Sequence, residues 1–167
     1  MARAVDGLPT FKDLNLPDLR DLAAELRRKP LDEVEAAESI DDALQILEIH
    51  MGFVQAEMVS IEKSTPIGTM KIHRSNLIHI VEKRRDARER YVLLALDTIK
   101  NPFEVWESDY DDEQVRFVFI GAYSQKQQML VIVAPWEGKV LWNFMHTESK
   151  SLNKHRRGKL LYKNYKL

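Results

Sequence analysis

Apolar residues change their spacing twice along the chain. Up to Met51 they recur every three or four positions, as on one face of a helix. Leu19, Leu22, Ala23 and Leu26 follow Asn15-Leu16-Pro17-Asp18, which joins a capping residue, a first-turn proline and an acid at the positive end of the dipole. Pro30 stops this helix, and a second helical stretch begins near Leu31. Ser39-Ile40-Asp41-Asp42 forms a fresh cap before Ala43, Leu44, Leu47 and Met51, with Gly52 as the stop. From Phe53 to His73 the pattern predicts two short extended segments around Ser64-Thr65-Pro66-Ile67-Gly68. Asn76 then caps a long helix, in which Leu77, Ile80, Arg84, Ala87, Tyr91, Leu94 and Thr98 follow helical spacing up to Asn101-Pro102.

The C-terminal third is strand-like. Phe103–Trp106, Val115–Ile120, Met129–Ala134 and Val140–His146 are β-prone runs, separated by Asp109-Tyr110-Asp111-Asp112, Ser124-Gln125-Lys126 and Pro135-Trp136-Glu137-Gly138. Connections this short predict a four-stranded antiparallel meander. The fold class expected is therefore α+β, N-terminal helices followed by that sheet, with the long helix packed on one face. Residues 1–52 read as a helical scaffold or adaptor, and residues 53–167 as the functional domain.

Charge is distributed unevenly. Residues through Thr65 carry a net −7 and those from Pro66 onward a net +6, so the overall −1 conceals an asymmetry. Lys139–Leu167 alone holds eight Lys/Arg against the single acid Glu148. Such a segment is either a solvated basic tail or a surface for a polyanion, and the asymmetry favours nucleic-acid partners. The 44% apolar content supports a core, and no apolar run is long enough to span a membrane. Met1-Ala2-Arg3-Ala4-Val5-Asp6 lacks the apolar stretch of a secretory signal. With no cysteine, disulfides and thiolate zinc sites are excluded, so chemistry must come from His, Lys, Arg, carboxylate and hydroxyl groups.

Those groups fall in two places. In Val115–Ile120, Arg116 shares a side with Val118 and Ile120, so it needs an anionic partner or a position at the sheet's end. A structural ion pair and a phosphate-binding role are both open to it. In the last strand Val140, Trp142, Phe144 and His146 should share one side and Leu141, Asn143, Met145 and Thr147 the other, placing His146 and Thr147 at the strand's end. The long helix carries His79, Lys83, Arg84, Arg85, Arg88 and Arg90, interleaved with Glu82, Asp86 and Glu89. A solvated, salt-bridged face accounts for most of these, while His79 among Leu77, Ile78, Ile80 and Val81 is either a satisfied rim residue or a catalyst. His73 and His79, like His146 and His155, lack metal-binding spacing, and no Gly-rich phosphate loop or nucleophile elbow is present.

Several segments together resemble a known family: Thr65-Pro66-Ile67-Gly68, Asn76-Leu77-Ile78-His79-Ile80, Lys83-Arg84-Arg85-Asp86-Ala87-Arg88, Thr98–Trp106, Arg116, and Arg156-Arg157-Gly158-Lys159-Leu160-Leu161-Tyr162. In order and spacing they resemble the phage barnase/EndoU/colicin/RelE-like nuclease domains found at the ends of Mu-like phage head-morphogenesis proteins and in polymorphic toxins. The resemblance covers roughly residues 53–163. It implies a metal-independent endoribonuclease without a cofactor, in which the ribose 2′-hydroxyl attacks the phosphorus. That reaction asks for a base, an acid for the departing 5′-oxygen, and cations to stabilise the phosphorane. On the resemblance His79 takes one acid/base role, and Arg116 and Arg157 clamp phosphate. His146 or Thr147 orients the phosphate or completes the proton transfer, and Lys83, Arg84, Arg88, Lys154 and Arg156 bind substrate. The implied setting is a toxin or effector acting on RNA in a cytoplasm, its own or a target cell's, with an acidic cognate inhibitor as partner. The alternative is a non-catalytic nucleic-acid-binding or phage head-assembly module on the same fold.

Overall fold

A computed structural model describes residues 2–166. The first α-helix along the chain is α1 (Ile40–Met51), where expected: Ser39 accepts the Asp42 amide at 3.1 Å, and Gly52 ends the helix at φ 106°. The hairpin follows, with β1 (Ser60–Thr65) antiparallel to β2 (Gly68–His73). Thr65 Oγ1 accepts from the Ile67 amide and donates to the Gly68 carbonyl, closing the Pro66-Ile67 turn from within.

The long helix is not continuous. It divides into α2 (Leu77–Val81), a loop, a 3₁₀ turn at Arg88–Tyr91 and α3 (Val92–Lys100), with Ala87 in the left-handed region at φ 42°. Side chains take the carbonyls that a continuous helix needs. Arg84 donates to the Val81 carbonyl, and Arg90 donates to those of Asp86 and Ala87. Glu89 turns inward, fully buried against Arg84. The helix expected around Leu19–Leu26 is likewise replaced by two 3₁₀ turns, Leu19–Asp21 and Ala24–Leu26, because the Arg27 guanidinium captures the Leu19 carbonyl. Residues 31–38 are not helical either: Val34 donates to the Arg90 carbonyl and Ala37 to the Glu89 carboxylate.

The meander forms as β3 (Glu104–Asp109), β4 (Val115–Gly121), β5 (Gln128–Ala134) and β6 (Val140–Thr147), antiparallel in sequence order. It is the centre of a larger mixed sheet, not the whole of one. The seven strands run β1-β2-β6-β5-β4-β3-β7, with β7 (Lys159–Lys163) antiparallel to β3 and β2 joined in parallel to β6 through Lys71 and Val140. Two charged ends disguised β7 as tail, and the β2–β6 contact joins residues far apart in sequence. β5 is buried along its whole length, as a central strand should be.

Each sheet face has its own apolar layer. On one, α1, α2 and α3 bring Leu47, Leu77, Ile80 and Leu94 against Val105, Phe119, Val131 and Phe144. On the other, Phe11, Leu16, Leu19 and Leu22 join Leu152 of α4 (Ser149–Asn153) over Trp106, Val118, Ile120 and Leu130. Residues 1–52 thus contribute to both layers. At roughly 1.5–3 kcal/mol for each large apolar side chain buried, their contacts are a substantial part of the fold's stability.

β6 carries a bulge. Ile132 faces Asn143 but Val133 faces Leu141, so Trp142 is the extra residue. The expected row of Val140, Trp142, Phe144 and His146 is split: Phe144 packs in the helical layer, Trp142 with Met145 in the opposite one.

Candidate active site

Beyond Val140 the outer edge of β6 pairs with no strand among the described residues. The broken segment 77–91 lies beside this edge and brings several polar side chains to it. His146 stacks on Tyr91, ring centroids 4.2 Å apart, and the Arg90 guanidinium lies 5.0 Å from the same Tyr91 ring. Arg88 donates to Asn143 Oδ1 at 2.9 Å and to Asp86 at 3.2 Å. Asn143 follows the bulged Trp142, whose ring is 6.4 Å from His79. The break in the helix therefore delivers Arg88, Arg90 and Tyr91 to the strand end that holds His146.

His146 is electrostatically distinct. Its Nδ1 is buried without a hydrogen-bond partner. Burial, and next the positive charge of Arg90, hold the imidazole below its usual pKa, with Arg88 adding to the effect and Asp86 opposing it. A proton on Nδ1 would be a buried N–H donor without an acceptor. A half-buried imidazole kept neutral beside two arginines can accept a proton, and the arginines supply positive potential for a developing anion. Tyr91 is itself raised above the usual phenol value, mainly by burial.

The other residues singled out in the sequence have varied surroundings. Thr147 is half-buried and pairs with Gln128 across the ladder. His79 is exposed, with Nδ1 3.7 Å from the Glu82 carboxylate. Lys83 is exposed. Arg84 is committed to Glu89 at 2.7 Å and to the Ala37 carbonyl, which leaves it a structural part. Arg116 is only 5% exposed and bound to Asp112 at 2.7 Å, so it does not project as an open phosphate clamp. Arg156 is fully buried, with Nε and one terminal nitrogen on Glu104 and the other on Pro17 and Asn153, so it has no surface from which to bind substrate. Arg157 and Lys154 lie apart from His146 in sequence and line a concavity beside residues 10–20.

Arg116 instead stiffens an aromatic wall. Its guanidinium lies 5.2 Å from the Tyr110 ring and 5.7 Å from Trp136. Trp136 stands edge-on to Trp142 at 4.8 Å, donates its indole N–H to Gln114 and remains 38% exposed. An exposed, immobilised indole one ring away from His79 is a platform on which a nucleobase can stack. Tyr91, Asn143 and Trp136 were given no site role from sequence, and Arg90 was read as part of a solvated, salt-bridged helix face. Tyr91 fitted a helical apolar stripe, and the dense Arg88–Tyr91 cluster gave the only local hint.

The sequence model of the phage-Barnase-EndoU-ColicinE5/D-RelE like nuclease2 family matches residues 55–163, well over half of the chain. The chain belongs to this family. No curated protein and no solved structure matches it. The nuclease-family match takes in all seven strands, the His146 cluster and the aromatic wall, and leaves residues 1–54 outside. No group of three or more His, Asp or Glu side chains suited to a metal ion occurs among the described residues. No helix there is long and apolar enough to cross a membrane.

Proposed function

We propose that this member of the nuclease family cleaves RNA by internal transesterification, with His146 as the base. The observation that carries the reading is His146 itself: half-buried with its Nδ1 unpartnered, stacked on Tyr91 and flanked by Arg88 and Arg90. RNA brings its own nucleophile, so a base and a positive field are what the protein must supply. His146 takes the proton of the 2′-hydroxyl, and the 2′-oxygen bonds to phosphorus. The bond from phosphorus to the 5′-oxygen breaks, and that oxygen takes a proton from solvent. The products are a 2′,3′-cyclic phosphate and a free 5′-hydroxyl. Arg88 and Arg90 offset charge on the phosphorane, with Arg88 fixed by Asn143 and Asp86. Trp142, beside His79, and His146 are about 13 Å apart along the strand, so His79 belongs with a flanking nucleotide and Trp136 with a stacked base.

The test is to incubate the protein with single-stranded RNA in EDTA beside His146→Ala. Fragments ending in 2′,3′-cyclic phosphate are expected from the wild type. The rate should fall roughly 10²–10⁴-fold in the variant, the range for losing a general base. Undiminished cleavage by His146→Ala would remove His146 from the site, and intact RNA in both reactions would remove the catalytic reading.

A further inference from the structure

Away from the His146 cluster, the segment 10–20 and the stretch from α4 to Gly158 form the two walls of a concavity of about 290 Å³. Lys12 and Arg20 line it from the first wall, and Lys150, Lys154 and Arg157 from the second. Among the described residues, Lys12, Lys150, Lys154 and Arg157 belong to no ion pair, so their charge is not offset by a neighbouring carboxylate. The one acid on the lining, Asp18, is already held by Arg20 at 2.8 Å and by the Asn153 amide at 2.7 Å.

The walls are tied together by three backbone amides, two of them bound to backbone carbonyls and one to a side chain. Phe11 donates to the Arg156 carbonyl at 3.0 Å, Gly158 to that of Pro9 at 2.7 Å, and the Leu19 amide to Asn153 Oδ1 at 3.2 Å. Arg20 and Lys150 also border an adjoining concavity of about 490 Å³ with Arg27, Lys126 and Glu148. Glu148, paired there with Lys126, directly follows the end of β6. The two concavities share Arg20 and Lys150, and together they form a channel from Glu148, just after β6, to Lys12.

We infer that this channel is a second RNA-binding surface, a phosphodiester track that extends the cleavage site and is completed by residues outside the nuclease-family match. The inference rests on RNA being the substrate. Cations on both walls of a concavity of about 290 Å³ suit an extended strand, whose phosphates can follow the groove, better than a folded acidic protein. The hydroxyl and amide groups of Ser124, Gln125 and Ser149 add donors between the cations.

The experiment measures binding of a short single-stranded RNA made with 2′-O-methyl ribose, which resists transesterification. Affinity is followed by fluorescence anisotropy from about 50 to about 200 mM salt, for the wild type and for Lys12→Gln/Lys150→Gln. Both lysines are exposed, so the circular dichroism of the variant should match the wild type. Two lost phosphate contacts should lower the salt slope by about 1.4, making the wild type roughly sevenfold more sensitive across that range. Identical slopes and affinities would overturn the inference. So would displacement of the RNA by polyglutamate as efficiently as by unlabelled RNA, which would make the channel a surface for an acidic protein. If the slopes differ but the unmodified RNA is never cut, the track stands and the catalytic reading falls. Cleavage with unchanged slopes overturns the track and leaves the catalytic reading intact.

Discussion

Replacing Arg156 tests whether this basic residue serves substrate or fold. Its side chain and that of Glu104 are both 0% exposed, joined by two bonds of 2.6 and 2.7 Å, and its guanidinium lies 4.4 Å from the Phe11 ring. Arg156→Gln would leave the Glu104 carboxylate buried with only the Trp106 indole and the Tyr165 hydroxyl as charge-stabilising donors. Removing one partner of a buried pair costs about 3–5 kcal/mol, because the surviving charge is stranded. For a chain of this size, at about 2–4 °C per kcal/mol, that is a Tm lower by roughly 6–20 °C. Glu104→Gln/Arg156→Met, which leaves no orphan charge, should recover much of the loss. Thermal unfolding followed by circular dichroism measures both variants, with RNA affinity determined in parallel below the transition. An Arg156→Gln protein that unfolds like the wild type but no longer binds RNA would refute the structural assignment and restore a substrate role.

Other consequences follow from the same geometry. Because the His146 pKa lies below its usual value, kcat/KM for RNA should rise with pH through a limb below about 6.5 and be flat at neutrality. Stability should fall as pH drops below about 6.5, where the unfolded chain binds the proton more readily, and His146→Ala should weaken that dependence in denaturant titrations at successive pH values. Trp136→Ala should weaken binding of the 2′-O-methyl RNA by about 1–3 kcal/mol, fivefold to over a hundredfold, with an unchanged unfolding midpoint, if a base stacks there. Gly158 has φ 102°, and a Cβ there would stand 2.2 Å from the Glu107 carbonyl oxygen, so Gly158→Ala should cost about 2 kcal/mol or more in urea unfolding.

Six of the seven strands, all but β7, were legible because alternation of apolar residues and Asp, Ser, Pro and Gly turns are local signals. The α1 cap and stop were legible for the same reason, since Ser39 and Gly52 act within one turn. The break after α2 was not, because Arg84 and Arg90 compete for carbonyls only once Glu89 has a buried site to enter. From sequence, Arg84, Arg88 and Glu89 looked like one salt-bridged helix face. In the fold Glu89 is core, Arg84 its partner and Arg88 a bridge to Asn143 on another element. The candidate site was legible only in part for a related reason. His146 could be placed at the end of a strand, but its neighbours Arg90 and Tyr91 arrive through the break that periodicity hid.

The basic C-terminal segment shows why charge density along a chain is a poor guide to potential in space. Arg156 and Arg157 are adjacent, yet one is fully buried on Glu104 and the other lines an open concavity. Lys159 and Lys163 bracket a strand that completes the sheet against β3. Lys150, Lys154 and Arg157 share one concavity, and Lys12, from the acidic half of the chain, faces them across it. The −7 half thus contributes a cation to the surface where a polyanion would bind, and the +6 half hides one of its arginines in the core. A net charge summed over either half would miss both facts, because the field at the surface depends on which charges remain unpaired after folding.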